Sequence, residues 1–291
     1  MRKVYGWFLL AVTTMGVLAF AYAAPKRTFG KASSIAKISG KEIVEASGLT
    51  PSRKYRGEFY THNDSGDTAR IFRVDSKGNT TAEIRLRDVK AIDIEDIDSA
   101  LIAGKEWVYV ADIGDNSRKR KSVTVYQVSE PKAKGTVTVR PDITLELTYP
   151  DGPQNVEAVM VHPKTGDIWI VSKVNSGKSN VYTLARPRQT GKFQVAKVGT
   201  VEVGTMIPGS AMVTGGAFSP DGRYIVLRSY TALYEFAVPK NTREWIRSVP
   251  VRIESALENQ GEAVCYTLDG KAILTVSEGA NPAINRIKIG G

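Results

Sequence analysis

The sequence predicts an all-β protein folded as a β-propeller of five four-stranded blades. Helical periodicity is almost absent from the chain, whereas short runs rich in Val, Ile, Tyr and Thr alternate with Gly, Pro, Asp and Asn. Such runs are typical of short strands joined by turns. The runs also recur in sets of four with a period of about 50 residues, which is typical of propeller blades.

The repeat is clearest at its first hairpin. Three stretches align with a glycine at the same turn: Asn155–Lys173 with Gly166, Val213–Ser229 with Gly222, and Gly261–Glu278 with Gly270. The stretches Glu45–Asp64 and Ala91–Asn116 fit the same frame. The residue before the first strand then reads Glu45, Glu95, Glu157, Thr214 and Glu262, at steps of 50, 62, 57 and 48 residues.

Each unit continues into a third strand, and every unit except the last also has a fourth strand. The third strands are ARIFRV, VTVYQV, NVYTLA, ALYEFA and AINRIK. We expect Ser33–Ser39 to supply the missing fourth strand and close the ring without a free edge. Six blades are the alternative, if the connection Lys132–Pro150 contains a degenerate unit.

The N-terminus has the pattern of a secretory signal. Basic Met1-Arg2-Lys3 precedes the mostly apolar run Phe8–Ala23, and small residues lead to Ala24. We therefore expect residues 1–23 to be a signal peptide, 24–31 a linker and 32–291 the propeller. An uncleaved N-terminal anchor is the alternative. The expected location is secreted or periplasmic, without stable membrane insertion after cleavage.

The net charge of the chain indicates which classes of molecule it can bind. The chain has 40 Lys and Arg against 30 Asp and Glu, a net charge of +10 that becomes +8 when Arg2 and Lys3 are removed. A basic exported protein can meet anionic small molecules or envelope polymers. The sequence has no nucleic-acid motif, and Arg118–Lys121 fits a solvated loop. Cys265, the only cysteine, is expected in the core, and we expect a monomer.

In a propeller the inner strand begins, and the second strand ends, on the same face. The glutamate series therefore faces a second series: Asn63/Asp64, Asp112/Asp115, Ser172/Lys173, Arg228/Tyr230 and Glu278. Carboxylates this close raise one another's pKa or need a counter-cation. Ca²⁺ takes six to eight oxygen ligands and suits such a site. The expected metal ligands are Asp64, Asp93, Asp96, Asp112 and Asp115.

Other side chains at this face suit a reaction or a ligand. Glu95, Glu157 and His62 are the candidate catalytic residues, since carboxylates and imidazole transfer protons. The candidate ligand-binding residues are Lys173, Arg228, Tyr230, Glu262 and Glu278. Two structural alternatives remain open: the Asp and Asn residues can simply form turns, and the glutamates can bind backbone N–H groups of adjoining blades. His162 lies in a turn on the opposite face, where a surface position is expected.

The segments EASGL, THNDSGD, DIEDI, ADIGDN, NVEAV, VLRSY, GEAV and VSEG occur in that order. Together they resemble a group of secreted bacterial β-propeller proteins of unsettled activity, over nearly the whole mature chain. More distantly the sequence is similar to calcium-dependent phytase-like and gluconolactonase-type propellers, which usually have six blades. That similarity implies a channel metal that assists hydrolysis of phosphoesters or lactones, with Glu95, Glu157 and Asp112 at matching positions.

The sequence thus favours an exported propeller whose acidic mouth binds Ca²⁺ and a small anionic or hydroxyl-rich ligand. Metal-assisted hydrolysis of a phosphoester, lactone or ester is one expectation. The alternative is a non-catalytic envelope scaffold or ligand-binding module, in which the glutamates only join blades.

Overall fold

The structure, a computed structural model, describes residues 27–204 and 210–290. Its regular elements are strands and one 3-10 helix, Thr242–Arg247. The strands before residue 150 are β1 Thr28–Phe29, β2 Ser33–Lys37, β3 Ala46–Pro51, β4 Phe59–Asn63, β5 Arg70–Val74, β6 Thr80–Leu86, β7 Ile94–Ile102, β8 Lys105–Asp112, β9 Val123–Ser129, β10 Gly135–Val139 and β11 Ile143–Thr148. Those that follow are β12 Val156–Val161, β13 Ile168–Ser172, β14 Lys178–Leu184, β15 Gly191–Gln194, β16 Ala196–Glu202, β17 Val213–Phe218, β18 Tyr224–Ser229, β19 Ala232–Ala237, β20 Val251–Glu254, β21 Gly261–Tyr266, β22 Ala272–Ser277 and β23 Ala283–Gly290.

The strands form five sheets, which are the blades of a propeller. From the inside outwards the blades are β3-β4-β5-β6-β10, β7-β8-β9-β11-β15, β12-β13-β14-β16, β17-β18-β19-β20, and β21-β22-β23 with β1 and β2 on its outer strand. Neighbouring inner strands contact one another all round the ring, including β21 with β3. The predicted five-bladed propeller is confirmed.

The connection Lys132–Pro150 does not contain a sixth blade. Its first strand, β10, pairs in parallel with β6 and so widens blade 1, with Gly135 opposite Ala82. Its second strand, β11, pairs with β9 and is the fourth strand of blade 2. The extra length between the second and third repeats is therefore used on blade edges.

Apolar clusters lie between each pair of neighbouring blades. Tyr109 and Ile170 belong to the cluster between blades 2 and 3. Trp245 of the 3-10 helix packs between blades 3 and 4 against Trp169, with ring centroids 6.4 Å apart. Because both faces of a blade are covered, strands such as β13 are buried along their whole length rather than on alternate residues. Cys265 is buried between blades 5 and 1, as predicted.

The N-terminal segment closes the ring. β2 pairs antiparallel with β23, with Ala36 opposite Ile284, which confirms the predicted closing strand. The described part of the predicted linker is also part of this blade, because β1 pairs Thr28 with Gly290. The predicted signal peptide, residues 1–23, lies outside the described residues. Among residues 27–204 and 210–290, no helix has the length and apolar character needed to cross a membrane.

Arg27 fixes the start of the described chain. Its Nη1 donates to Glu235 Oε1 at 2.7 Å, and the guanidinium lies 4.1 Å from the centroid of the Tyr224 ring. Tyr266 donates its hydroxyl to the same Glu235 oxygen at 2.6 Å. Blades 4 and 5 are thereby joined through the segment that leads into β1.

His162 differs from expectation. It was predicted at the surface but is 7% exposed, and its ring lies 5.0 Å from that of Phe218 in an edge contact. The backbone N–H groups of Lys164 and Thr165 donate to Nδ1. The turn folds back over the ring, so the imidazole packs between blades 3 and 4.

Candidate functional site

A β-bulge lies at the start of every inner strand and turns one side chain out of the ladder. In β7, Ile94 pairs with Asp112 and Asp96 with Ala111, which leaves Glu95 as the extra residue. The same shift singles out Glu157 in β12, Thr214 in β17 and Glu262 in β21. Bulges commonly re-aim a side chain near a functional site. Here they direct the glutamates to one face, which we call the mouth.

Blade 1 departs from the aligned series. Its bulge lies between Ala46 and Leu49, so Ser47 rather than Glu45 takes the place of Glu95. The Ser47 hydroxyl donates to the Glu95 carbonyl at 2.9 Å, and Thr214 donates to the Gly261 carbonyl at 2.8 Å. These hydroxyls join neighbouring inner strands by donating to carbonyls, whereas the alternative raised for the glutamates was binding to backbone N–H groups.

The predicted metal ligands Asp64 and Asp93 meet the predicted catalytic residue Glu95 at the mouth. One carboxylate oxygen of each lies within 4.8 Å of the others. Asp64 follows β4, Asp93 precedes β7, and Glu95 is the bulged residue of β7. Oδ1 of Asp64 is buried and has no hydrogen-bond partner among residues 27–204 and 210–290. Such a trio of carboxylates is suited to holding a cation.

Lys173 is paired with a carboxylate beside this trio. Its Nζ lies 3.0 Å from Glu157 Oε1 and 5.1 Å from the centroid of the Tyr230 ring. Glu157 is almost fully buried and Lys173 is 15% exposed. Glu262 and Glu278 complete the group; Glu262 is 3% exposed, and its Oε2 has no hydrogen-bond partner. We call these eight residues the mouth cluster: Asp64, Asp93, Glu95, Glu157, Lys173, Tyr230, Glu262 and Glu278.

Burial and like charge raise the pKa values of these carboxyl groups. Burial, followed by the charges of Glu157 and Asp64, raises the pKa of Glu95 far above its usual range. Glu95 can then donate a hydrogen bond to Glu157. Burial and the Asp64 charge raise the pKa of Asp93 to about 6. The same causes raise the pKa of Glu278 to about 7, while burial raises that of Glu262 to about 8 against the opposing charge of Lys173.

The pKa values of the ammonium and the phenol beside these carboxyl groups are also raised, so both groups keep their protons at neutral pH. Burial tends to lower the pKa of Lys173, but the charges of Glu157 and Glu262 outweigh it and hold that pKa above the usual range. Burial, with the charge of Glu262, raises the pKa of Tyr230 to about 12. At neutral pH the mouth thus combines an ammonium, a neutral phenol and several partly protonated carboxyl groups.

Gly114 makes room for the trio. A Cβ at this position would lie 2.2 Å from Glu95 Oε1 and 2.3 Å from Asp93 Oδ2. The Gly114 N–H donates to the Asp93 carbonyl, a contact made by Asp64 to Glu45 in blade 1. Blade 2 therefore has no side chain where blade 1 has Asp64, and its own carboxylates fill that space.

Asp112 and Asp115, predicted as metal ligands, hold the loops of blade 2. Asp112 accepts from the N–H groups of Ile92 and Asp93 and forms an ion pair with Arg120 at 2.8 Å. It supports the backbone that carries Asp93. Asp115 accepts from the N–H groups of Lys119 and Arg120. The turn-forming alternative describes both residues in this structure, and Arg120 is not simply solvated.

Asp96, another predicted metal ligand, joins two blades. Its side chain accepts from the Val159 N–H at 2.9 Å and from the Ile97 N–H at 2.8 Å. Asp98, which was not among the predicted site residues, accepts from the Val161 N–H at 2.7 Å. These aspartates satisfy inner-strand donors of blade 3 that would otherwise face the channel. Their alternation at i and i+2 on β7 was the available signal.

His62 is not at the mouth. It is fully buried in β4, its Nδ1 lies 2.8 Å from the Asn63 carbonyl, and its Nε2 has no hydrogen-bond partner in the described part of the chain. A Cβ at Gly48 would lie 2.5 Å from that Nε2. Burial lowers the pKa of His62 to about 4. The residue has no access to a ligand, so the geometry does not provide the predicted general base.

Arg228 is likewise fully enclosed. Its guanidinium donates to the carbonyls of Ala263 at 2.8 Å and Val276 at 3.3 Å, and it forms an ion pair with Glu258. Glu258 also accepts from Thr275 and from Asn285. The predicted ligand-binding arginine therefore joins blade 4 to blade 5. Glu258 lies outside the repeat alignment, so the sequence offered no signal for this pair.

A polar cavity of about 440 Å³ lies next to the mouth cluster. Its lining includes the amides of Asn116, Asn155 and Asn175 together with Arg118 and Lys173. Asn155 Nδ2 also lies 3.4 Å from Glu157 Oε1, so the cavity adjoins the buried carboxylates. Amide and cationic donors of this kind are suited to hydroxyl and anionic groups.

Comparison with known proteins gives a partial structural similarity. No family model and no curated protein matches the chain. Among solved structures, one similar in part is a Bacteroides uniformis protein provisionally described as a 6-phosphogluconolactonase. The two share 12% identity at a TM-score of 0.43, over 81% of this chain and 65% of that one. This chain thus spans less than two thirds of that structure, and the likeness carries no argument about activity.

Proposed function

We propose that the protein is a Ca²⁺-dependent propeller that binds a small anionic or hydroxyl-rich ligand at its mouth and hydrolyses it. One observation carries the proposal: Asp64, Asp93 and Glu95 bring carboxylate oxygens within 4.8 Å of one another. The buried, unpartnered Oδ1 of Asp64 supports it further. Bringing these charges together is unfavourable unless protons or a cation neutralise them.

Ca²⁺ fits this donor set better than the softer metals. The trio offers only oxygen atoms, and neither His62 nor Cys265 reaches it. Carboxylate oxygens suit hard cations such as Ca²⁺, Mg²⁺ and Mn²⁺. Ca²⁺ also tolerates irregular coordination, which suits ligands supplied by two different blades.

The remaining mouth residues can bind a ligand and move a proton. A bound cation would polarise a phosphoryl or carbonyl oxygen. Lys173 and the amides of Asn116 and Asn155 can bind negative charge or hydroxyl groups beside it. Glu278 and Glu262, with pKa values of about 7 and 8, can exchange protons at neutral pH. Phosphoesters, lactones and esters are the substrate classes that this combination suits.

A non-catalytic ligand-binding or scaffold protein is the second candidate. The ion pair of Lys173 with Glu157 favours it, because that pair already occupies two of the groups a reaction would use. A screen of phosphoesters, lactones and aryl esters in the presence of Ca²⁺ separates the two. We expect turnover by the wild type and loss in Glu157→Gln; Ca²⁺-dependent ligand binding without turnover would establish the second candidate.

Metal binding is tested by thermal unfolding with EDTA, Ca²⁺ or Mg²⁺. A ligand that binds only the folded state at 100 times its Kd stabilises by about 2.7 kcal/mol. We expect Ca²⁺ to raise the Tm of the wild type and of Asp88→Asn, whose carboxylate is exposed, but not of Asp64→Asn. If the wild-type Tm does not change with these additions, the protein does not bind the metal, and the proposed function is wrong.

We also propose that the protein is exported and monomeric. The basic start and the apolar run Phe8–Ala23 support export. N-terminal sequencing of the protein from the periplasm or medium should begin at Ala24; an intact Met1 would contradict cleavage. Light scattering should give the mass of one chain.

A further inference from the structure

A second cavity, of about 550 Å³, opens on the face opposite the mouth, where blade 5 meets blade 1. The turns that join β3 to β4 and β21 to β22 border it, and β2 contributes Ile35. We call it the seam cavity. It lies where the N-terminal strand completes the ring, away from every residue of the mouth cluster.

The walls of the seam cavity are largely apolar. Phe59 and Leu274 are buried members of the cluster between blades 5 and 1, and Leu268 is half-buried. Ile35 is 43% exposed, although it belongs to a paired strand. An apolar molecule in the cavity would cover these side chains and remove their surface from water.

The charged residues at the cavity are not equivalent. Glu58 accepts from Arg73 at 2.6 Å, which neutralises it. Asp269 accepts from the Thr267 hydroxyl and the Lys271 N–H, which lower its pKa, with a smaller contribution from Arg286. The two acids are thus already engaged by the protein.

The two arginines of the cavity are not engaged in this way. Within the described residues, the side chains of Arg56 and Arg286 form no hydrogen bond or ion pair, and Nε of Arg286 is buried. Guanidinium groups bind carboxylate and phosphate in planar, often bidentate geometry. A free anionic group would satisfy donors that the protein leaves unused.

We propose that the seam cavity binds a small amphipathic anion, a medium-chain carboxylate or its phosphate counterpart. Arg56 and Arg286 hold the charged group, and the apolar body lies against Ile35, Phe59 and Leu274. The volume is in the usual range for small-molecule sites, about 300 to 1,000 Å³. Because β2, blade 1 and blade 5 all contribute, the bound molecule stabilises the closed ring. This site does not depend on the function proposed for the mouth.

Octanoate is the probe, with octyl phosphate as the second anion and octylammonium as the cation of matched length. Calorimetry and Tm measurements on the purified protein should show binding of both anions, unchanged by EDTA, and none of octylammonium. We expect Arg286→Gln to weaken octanoate binding at least about tenfold, since a charge-assisted hydrogen bond is lost. Arg85→Gln, an exposed arginine outside the cavity, should bind as the wild type does.

Three results would overturn the proposal. They are absence of binding of both octanoate and octyl phosphate, equal binding of octylammonium, and unchanged binding in both Arg286→Gln and Arg56→Gln. Arg56 is exposed, so its substitution keeps the test valid if Arg286→Gln does not fold. Octyl phosphate binding without octanoate binding would assign the site to phosphate monoesters alone.

Discussion

The ammonium of Lys173 lies 3.0 Å from the carboxylate of Glu157 at the end of the propeller channel. Glu157 is the bulged residue of β12, and Lys173 directly follows β13, so one blade supplies both partners. The charge of Lys173 also acts on Glu262 and Asp64. This one ammonium therefore offsets carboxylates contributed by three blades.

Replacement of Lys173 by Met should destabilise the protein strongly. The change leaves Glu157 unpaired among like charges, and breaking a buried ion pair costs roughly 3 to 5 kcal/mol. Urea unfolding in EDTA measures the difference. Lys178→Met is the control, because its pair with Glu202 is exposed and should contribute at most about 1 kcal/mol. Equal losses in the two variants would contradict this account of the mouth.

Without divalent cations, stability should fall as pH rises from about 4 to about 8. The folded protein holds the protons of Asp93, Glu278 and Glu262 more tightly, with pKa values of about 6, 7 and 8, than the unfolded chain does. Stability from these groups is complete below the unfolded pKa and is lost through the folded pKa. Unfolding free energies across this range measure the slope.

Two controls identify the source of that slope. Glu262→Gln should flatten its upper part, since an amide does not titrate. Saturating Ca²⁺ should flatten it generally, because the cation replaces the protons. A stability that increases over this range in EDTA would contradict the raised pKa values.

Gly114→Ala should weaken metal binding more than it weakens the fold. The new methyl group would meet the carboxylate oxygens of Glu95 and Asp93, which would have to move apart. We expect the Ca²⁺ affinity, measured by calorimetry, to fall at least about tenfold, the loss of one good contact. Gly30→Ala is the control, because its methyl group would make only ordinary contacts at 3.7 Å. Wild-type affinity in Gly114→Ala would place the cation elsewhere.

Arg228→Leu should destabilise the protein and leave the ligand chemistry of the mouth unchanged. The substitution leaves buried Glu258 without its cation, at an expected cost of roughly 3 to 5 kcal/mol. Arg228→Leu/Glu258→Leu should recover part of that loss, since no unpaired charge remains. Denaturant unfolding of both variants measures this, and Ca²⁺ should still raise their Tm. If Ca²⁺ no longer raised the Tm of a variant that still folds, Arg228 would have to contribute to Ca²⁺ binding at the mouth.

The fold could be predicted because the repeat is local. Each hairpin has its own turn residues, such as Ala103 and Gly104, which both adopt left-handed φ in the β7–β8 turn. Closure by β2 followed from the missing fourth strand of the last repeat. The added edge strand β10 could not be predicted, because a parallel edge contact leaves no pattern in its own residues.

The site was predicted less completely because hydrogen bonds decide which acids are available. Asp93, Glu95 and Asp64 come together as predicted, and Lys173 lies beside Glu157. Asp96 and Asp112 have the same chemistry, but their oxygens are taken up by the N–H groups of Val159 and Asp93. These N–H donors belong to distant segments or to bulged positions, which the local sequence around each acid does not reveal. The register at the bulge also explains why Ser47, two residues beyond Glu45, matches Glu95.

The pairing of β1 with β23 limits the order in which the blades can form during protein synthesis. Thr28 meets Gly290, so β1, which is synthesised before the other described strands, finds its partner only after β23 has been synthesised. The first three strands of each of blades 1 to 4 are consecutive in the chain, whereas blade 5 combines β21–β23 with the N-terminal strands β1 and β2. A growing chain therefore stays an open ring until β23 has been synthesised. A truncation that removes β23 should leave nascent protein that cannot close, however stable its other blades are.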